Sequence, residues 1–252
     1  MGNTVSIFDS AESAWNHVDE SYVQEERPLQ AIRKIVIKGS VDVVFRRFDK
    51  PTLVVAGETA DAVASVKTSI SGGKLVIERE GVSISFGHRS VRVMGTVGQI
   101  VHGDLNVPIN IDMRGKGVSV SGVTNAAINR GKVVVGVALP EAPVIKIKGS
   151  GDMTLLDLQQ SDLELEIEGS GDIAAHGHVT NLDVSIAGSG DVDASSLIAE
   201  RASLSIAGSG DIEAFVRSDV RARVAGSGDI VIRGNPPLRN HQVAGSGKIK
   251  FR

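Results

Sequence analysis

Residues 163–192 read LELEIEGSGDIAAHGHVTNLDVSIAGSGDV, and two properties of this stretch decide the architecture. The first is alternation. Leu163, Leu165, Ile167, Gly169, Gly171 and Ile173 share one parity, and Glu164, Glu166, Glu168, Ser170 and Asp172 share the other. A period of two marks a strand with one buried face. The second is recurrence: Gly169-Ser170-Gly171-Asp172 returns 19 residues later as Gly188-Ser189-Gly190-Asp191. Moving outward, the tetrapeptide also starts at Gly149, Gly208 and Gly226, and a variant ending in Lys248 starts at Gly245. Successive steps are 20, 19, 20, 18 and 19 residues. A degenerate copy, Gly39-Ser40-Val41-Asp42, carries Val for the second Gly.

The parity is kept around each copy, as in Leu204, Ile206, Gly208, Gly210, Ile212 and in Ile35, Ile37, Gly39, Val41, Val43. A period near 20 is too long for one strand and too short for a βαβ unit. A propeller blade needs about twice that length, and a leucine-rich repeat needs a Leu/Asn consensus that is absent. One coil of a solenoid fits: short strands and turns wrap once around a core and pair with the coils above and below, about 4.8 Å away. The reading is an all-β parallel β-helix of about 19–20 residues per coil. It accounts for 12 of the 29 glycines, which fall on the inward parity where the coil turns a corner.

Two segments, Ile32–Glu78 and Val133–Phe251, carry an opening GS-V-D-V strand, a GG-K-L-V-I strand and then the Gly-Ser-Gly ladder. In this they resemble the bacterial "putative auto-transporter adhesin, head GIN domain" family, a domain of unknown function. The resemblance implies a right-handed parallel β-helix and a cell-envelope or surface-interaction role. It brings no catalytic residues. Members of that family usually begin with a secretion signal or lipoprotein Cys, whereas MGNTVSIFDSAESAW has neither a basic start nor an apolar run. The expected location is periplasmic or extracellular if an export signal has been removed, and cytoplasmic otherwise.

Outside the ladder, residues 1–28 have a separate character. Asp9 and Glu12 form a capping-box pattern, and Ala11, Trp15, Val18 and Tyr22 lie on one face of a helix ending before Pro28. We expect a short N-terminal helical cap at 1–28 and a β-helix domain at 29–252. Within that domain, 87–132 reads as an irregular insertion and 144–252 as the regular coils.

Composition removes several functions. With no Cys there is no disulfide or thiolate chemistry, and a net charge of −3 leaves no basic footprint for nucleic acid. No apolar run is long enough to span a membrane. After residue 86 the aromatics are Phe215 and Phe251, which argues against a sugar-stacking catalytic cleft, and no carboxylate pair stands out. His176 and His178 alternate on one strand but lack a third ligand at telling spacing. Arg217, Arg221 and Arg223 read as a solvated face neutralised by neighbouring acids. No catalytic, cofactor or metal residue is assigned.

The strongest surface feature is the outward row Ser150, Asp152, Ser170, Asp172, Ser189, Asp191, Ser209, Asp211, Ser227 and Asp229. Carboxylates stacked about 5 Å apart repel by roughly 0.9 kcal/mol in water and about 3–4 kcal/mol at an effective dielectric of 20. Compensation comes from Ca²⁺ bridging or from backbone N–H groups of each Asp's own turn. The serines would link rung to rung. The function expected is a non-enzymatic envelope scaffold or adhesin-like module binding carbohydrate or a cell-surface protein. The alternatives are a polysaccharide-acting enzyme and a solenoid that self-assembles through a sheet face or its open end.

Overall fold

The alternation around the Gly-Ser-Gly turns folds into strands that pair in parallel, one coil on the next. The computed structural model describes residues 21–79 and 131–252, with four short strands (83–86, 89–92, 110–112 and 119–121) between them. The strands are β1 (Val23–Arg27), β2 (Lys34–Gly39), β3 (Asp42–Arg47), β4 (Thr52–Gly57), β5 (Val66–Ser71), β6 (Lys74–Arg79), β7 (Ser83–Phe86), β8 (Arg89–Arg92), β9 (Asn110–Asp112) and β10 (Ser119–Ser121). They continue as β11 (Val133–Leu139), β12 (Val144–Gly149), β13 (Met153–Gly169), β14 (Ile173–Gly188), β15 (Val192–Gly208), β16 (Ile212–Gly226), β17 (Ile230–Arg233), β18 (Leu238–Gly245) and β19 (Ile249–Phe251). One short helix, α1 (Ala60–Ala64), occurs among the described residues.

Inward residues form continuous ladders through the stack. Ile147, Ile167, Ile186, Ile206 and Val224 are neighbours in successive coils on one face. Met153, Ile173, Val192, Ile212 and Ile230 do the same on the next face. All ten are buried, so aliphatic side chains fill a narrow interior and the chain forms a β-solenoid of about five turns. The parallel β-helix expected from the repeat is what the structure contains.

The glycines are needed for a reason that the corner alone does not supply. Gly188 has φ +154°, and a Cβ there would lie 2.1 Å from the carbonyl oxygen of Gly169. At Gly190 the corresponding approach is 2.1 Å, to the oxygen of Gly171. The obstacle is the backbone of the neighbouring coil. Ser189 N–H meanwhile donates to Gly169 O at 2.9 Å, which holds the turns that close together.

The two ends are built differently. β2 lies between β6 and β12, all parallel, and β5 closes that face antiparallel to β6. On the adjoining face β11 is inserted between β3 and β4, parallel to the first and antiparallel to the second, and β1 covers β4. Antiparallel strands thus finish the parallel ladder. Arg27 ties β1 to Val66 O at 2.7 Å, and Arg79 reaches Gly131 O at 2.8 Å. The helical segment expected at 1–28 needs correction at its end: Val23–Arg27 is a strand. The free edge of β4 supplies a pairing partner that overrides local helical periodicity. Tyr22 packs against Val44, Ala56, Val134 and Leu156. The rest of that segment, residues 1–20, lies outside the described residues, as does 87–132 apart from β8, β9, β10 and residues 131–132.

Candidate functional site

Every Asp of the outward row is tied to the next coil. Asp172 N–H donates to Asp152 Oδ1 at 2.9 Å, Asp191 N–H to Asp172 Oδ1 at 2.8 Å, and Asp211 N–H to Asp191 Oδ1 at 2.8 Å. Asp229 N–H continues the ladder to Asp211 Oδ1 at 2.7 Å, and Lys248 N–H ends it on Asp229 Oδ1 at 2.8 Å. Asp42 of the degenerate copy starts it, accepting from Asp152 N–H at 3.4 Å. The donor is therefore the following coil, not the Asp's own turn as expected. This is how stacked carboxylates are tolerated: each charge faces an oriented N–H dipole. At the open end Lys250 Nζ lies 2.7 Å from Asp229 Oδ2, and its hydrogen bond holds that carboxyl below the usual range. At the other end burial pushes the Asp42 and Asp152 carboxyls up.

The row is brought together as the sequence implies. Ser150, Ser170, Ser189, Ser209 and Ser227 are exposed beside it, with Asp191 and Asp211 exposed and Asp152, Asp172 and Asp229 half-buried. Ser40 and Ser150 hydroxyls approach to 3.3 Å across one rung.

A second polar surface, which periodicity did not single out, lies on the outward side of the strands leading into the turns. Near β2 and β12 it is a lattice of ion pairs. Glu166 bridges Lys34 at 2.7 Å and Lys146 at 2.5 Å, while Glu168 bridges Lys146 at 2.6 Å and Lys148 at 2.9 Å. Desolvation opposes ionisation of Glu166, yet the two lysine hydrogen bonds outweigh it and bring its pKa to about 2. Burial, with the Glu166 charge nearby, pushes Glu164 and Asp183 up.

Further along, a groove of about 440 Å³ runs across β13 to β16. One wall is Asp162, Asn181, Arg201 and Asp219; the other is Glu164, Asp183, Ser203 and Arg221. Asn181 Nδ2 donates to Asp162 Oδ1 at 2.7 Å, and Arg201 Nε donates to Asn181 Oδ1 at 2.9 Å. The expectation that neighbouring acids neutralise the late arginines is met for Arg217 only from another coil, where it pairs with Glu200 at 3.1 Å. It fails for Arg221 and Arg223, which make no ion pair among the described residues.

His176 is half-buried and His178 exposed, flanking Gly177. Among the described residues no group of three or more His, Cys, Asp or Glu side chains could hold a metal ion, and no helix is long and apolar enough to cross a membrane.

With this geometry in place, residues 32–236 match the protein family described as "Putative auto-transporter adhesin, head GIN domain". A crystal structure of a putative adhesin from Bacteroides fragilis NCTC 9343 superposes with a TM-score of 0.60 at 17% identity, covering 93% of this chain and 99% of that one. A putative lipid binding protein from Parabacteroides distasonis ATCC 8503 gives 0.52 at 19% identity, covering 93% and 98%. At such identities the likeness is one of fold. No curated protein sequence matches the chain.

Proposed function

The chain belongs to the putative auto-transporter adhesin, head GIN domain family, and from that premise we propose that it is an adhesin-like binding module of the cell surface or envelope that works without catalysis. The contact surface is the row from Ser150 and Asp152 to Ser227 and Asp229, and the partner is a carbohydrate or an extended surface protein. The Asp ladder carries this reading. Each carboxylate is fixed by the next coil's N–H, so the row is a rigid lattice with a repeat of about 4.8 Å. Exposed hydroxyls stand beside it at every rung. Such preorganisation suits a repeating ligand, because little side-chain entropy is lost on contact.

A glycan array probed with the native chain and with an Asp172→Asn, Asp191→Asn, Asp211→Asn variant tests it. Asn keeps the acceptor oxygen and removes the charge. Binding lost with the fold retained supports the row; unchanged binding moves the contact elsewhere. Turnover of an acidic polysaccharide would overturn the non-enzymatic reading.

A second reading, self-assembly, has one observation in its favour. All eight residues of β18 are exposed, and among the described residues its only strand partner is β16. Concentration-dependent light scattering without ligand would support it.

A further inference from the structure

The groove across β13 to β16 is a site of its own. On β14 Asp183 stands six residues before Ser189, about 20 Å along an extended strand from the Ser/Asp row. We propose that this groove binds a single sugar-acid unit, with the carboxylate on Arg221 and Arg201 and the hydroxyls on Asp183, Asn181 and Ser203.

The coil repeat itself points here. At the turns successive coils carry the same Gly-Ser-Gly-Asp, because stacking allows little else. At the groove the corresponding positions differ: Glu164, Asp183, Ser203 and Arg221 on one wall, Asp162, Asn181, Arg201 and Asp219 on the other. The backbone asks the same of each coil, so the changing side chains give the groove a direction. Asp162, Glu164 and Asp183 gather at one end, and Arg201 and Arg221 lie at the other with Asp219 beside them.

The guanidinium end is prepared for an anion. Arg221 has no ion-pair partner among the described residues, and Arg201 is oriented by its Nε bond to Asn181 Oδ1. Two such forks offer planar, two-pronged recognition of a carboxylate. Two rungs away, about 10 Å, Asp183 has no cation in ion-pair contact among the described residues and offers acceptor oxygens to hydroxyl groups. Ser203 lies between them in register. Donors and acceptors of this kind fit a polyol, and the volume of about 440 Å³ falls within the range of about 300–1,000 Å³ usual for small-ligand sites. The acidic end repels a second carboxylate, so a chain of acidic residues fits poorly. A ring with one carboxylate and several hydroxyls satisfies both ends.

Amide NMR spectra of the full chain, titrated with methyl β-glucuronide and with methyl β-glucoside, test this directly. The two probes differ only at C6, a carboxylate in one and a hydroxymethyl group in the other. The glucuronide should move the amides of Asp183, Ser203 and Arg221. The glucoside should bind at least about tenfold more weakly, and Arg221→Gln should weaken the glucuronide by a similar factor. Arg221 is exposed, so this variant keeps the fold. No amide shift, equal shifts from both probes, or full binding by Arg221→Gln would overturn the proposal. Stronger shifts of the same amides by a glutamate peptide would overturn it too. Loss of glycan-array binding by the row variant speaks only to the adhesin reading, so the two can fail separately.

Discussion

The Asp172 carboxylate accepts the backbone N–H of Asp191, one coil further on, at 2.8 Å. A side chain here does what a strand neighbour does elsewhere, carrying the ladder through the turn where sheet pairing lapses. Removing the acceptor leaves that N–H to solvent at an exposed turn, which loses the net worth of one hydrogen bond, about 0.5–1.5 kcal/mol. Asp172→Ala should therefore lower stability by about that amount, and Asp172→Asn by distinctly less. Chemical denaturation of both variants checks this. Equal losses would mean that the charge matters more than the hydrogen bond.

The glycine turns make a second comparison. A Cβ at Gly190 meets backbone 2.1 Å away, whereas at Gly72 (φ +58°) it meets nothing within 4 Å. Gly72→Ala carries only the left-handed backbone cost of about 1–2 kcal/mol. Gly190→Ala, with no left-handed backbone cost, must push two coils apart, which should cost about 3 kcal/mol or more. Thermal unfolding of the pair should rank them in that order; the reverse order would show that the coils separate easily.

Acid should weaken the Lys–Glu lattice. Glu166 titrates near pH 2 in the folded protein, below its ordinary range in an unfolded chain. Its contribution is therefore fully present above about pH 4.5 and disappears as pH falls from there toward 2. Glu164 and Asp183, pushed up by burial, act in the opposite sense and regain stability as they protonate. Glu166→Gln should lower stability at pH 7 by about 1 kcal/mol, screening at this partly exposed site limiting the effect. It should also flatten the acid limb below pH 4.5. Denaturation curves at pH 7, 4 and 2.5 would show an unchanged difference if the lattice contributes nothing.

How much of this was legible beforehand follows from which residues repeat. The coils of β13 to β16 were readable because alternation and Gly-Ser-Gly-Asp recur locally, and local recurrence is what a sequence displays. The closed end was not. β11 is a continuously buried run, VVVGVAL, with no alternation, and its insertion between β3 and β4 is a long-range pairing. The Ser/Asp row was visible, but the direction of its hydrogen bonds required knowing that the coil spacing places Asp191 N–H over Asp172. The groove is not legible in the sequence because its walls combine residues 18–20 apart that differ in type. Nearest sequence neighbours do not supply the partner of Arg217, which is Glu200 in the coil below.

The open end raises the last prediction. The core ladders run through Val220, Ala222 and Val224 of β16, and in β18 their partners are Arg239, His241 and Val243. Two of three inward positions thus change from aliphatic to polar in the final coil. Arg239 stacks 4.4 Å over the Phe251 ring, with Nε donating to Pro236 O at 2.7 Å, and His241 meets the same ring edge-on at 5.5 Å. Inward-facing charge is a known protection for an unpaired strand edge, because another chain adding there must bury it. An Arg239→Leu, His241→Leu variant would extend the aliphatic ladders to the last rung and leave β18 as a flat apolar edge beside the exposed Leu238. Sedimentation should then show association at lower protein concentration than for the native chain, with the monomer fold intact by circular dichroism. Equal association of the two proteins would mean that something other than the Arg239 cation governs that edge.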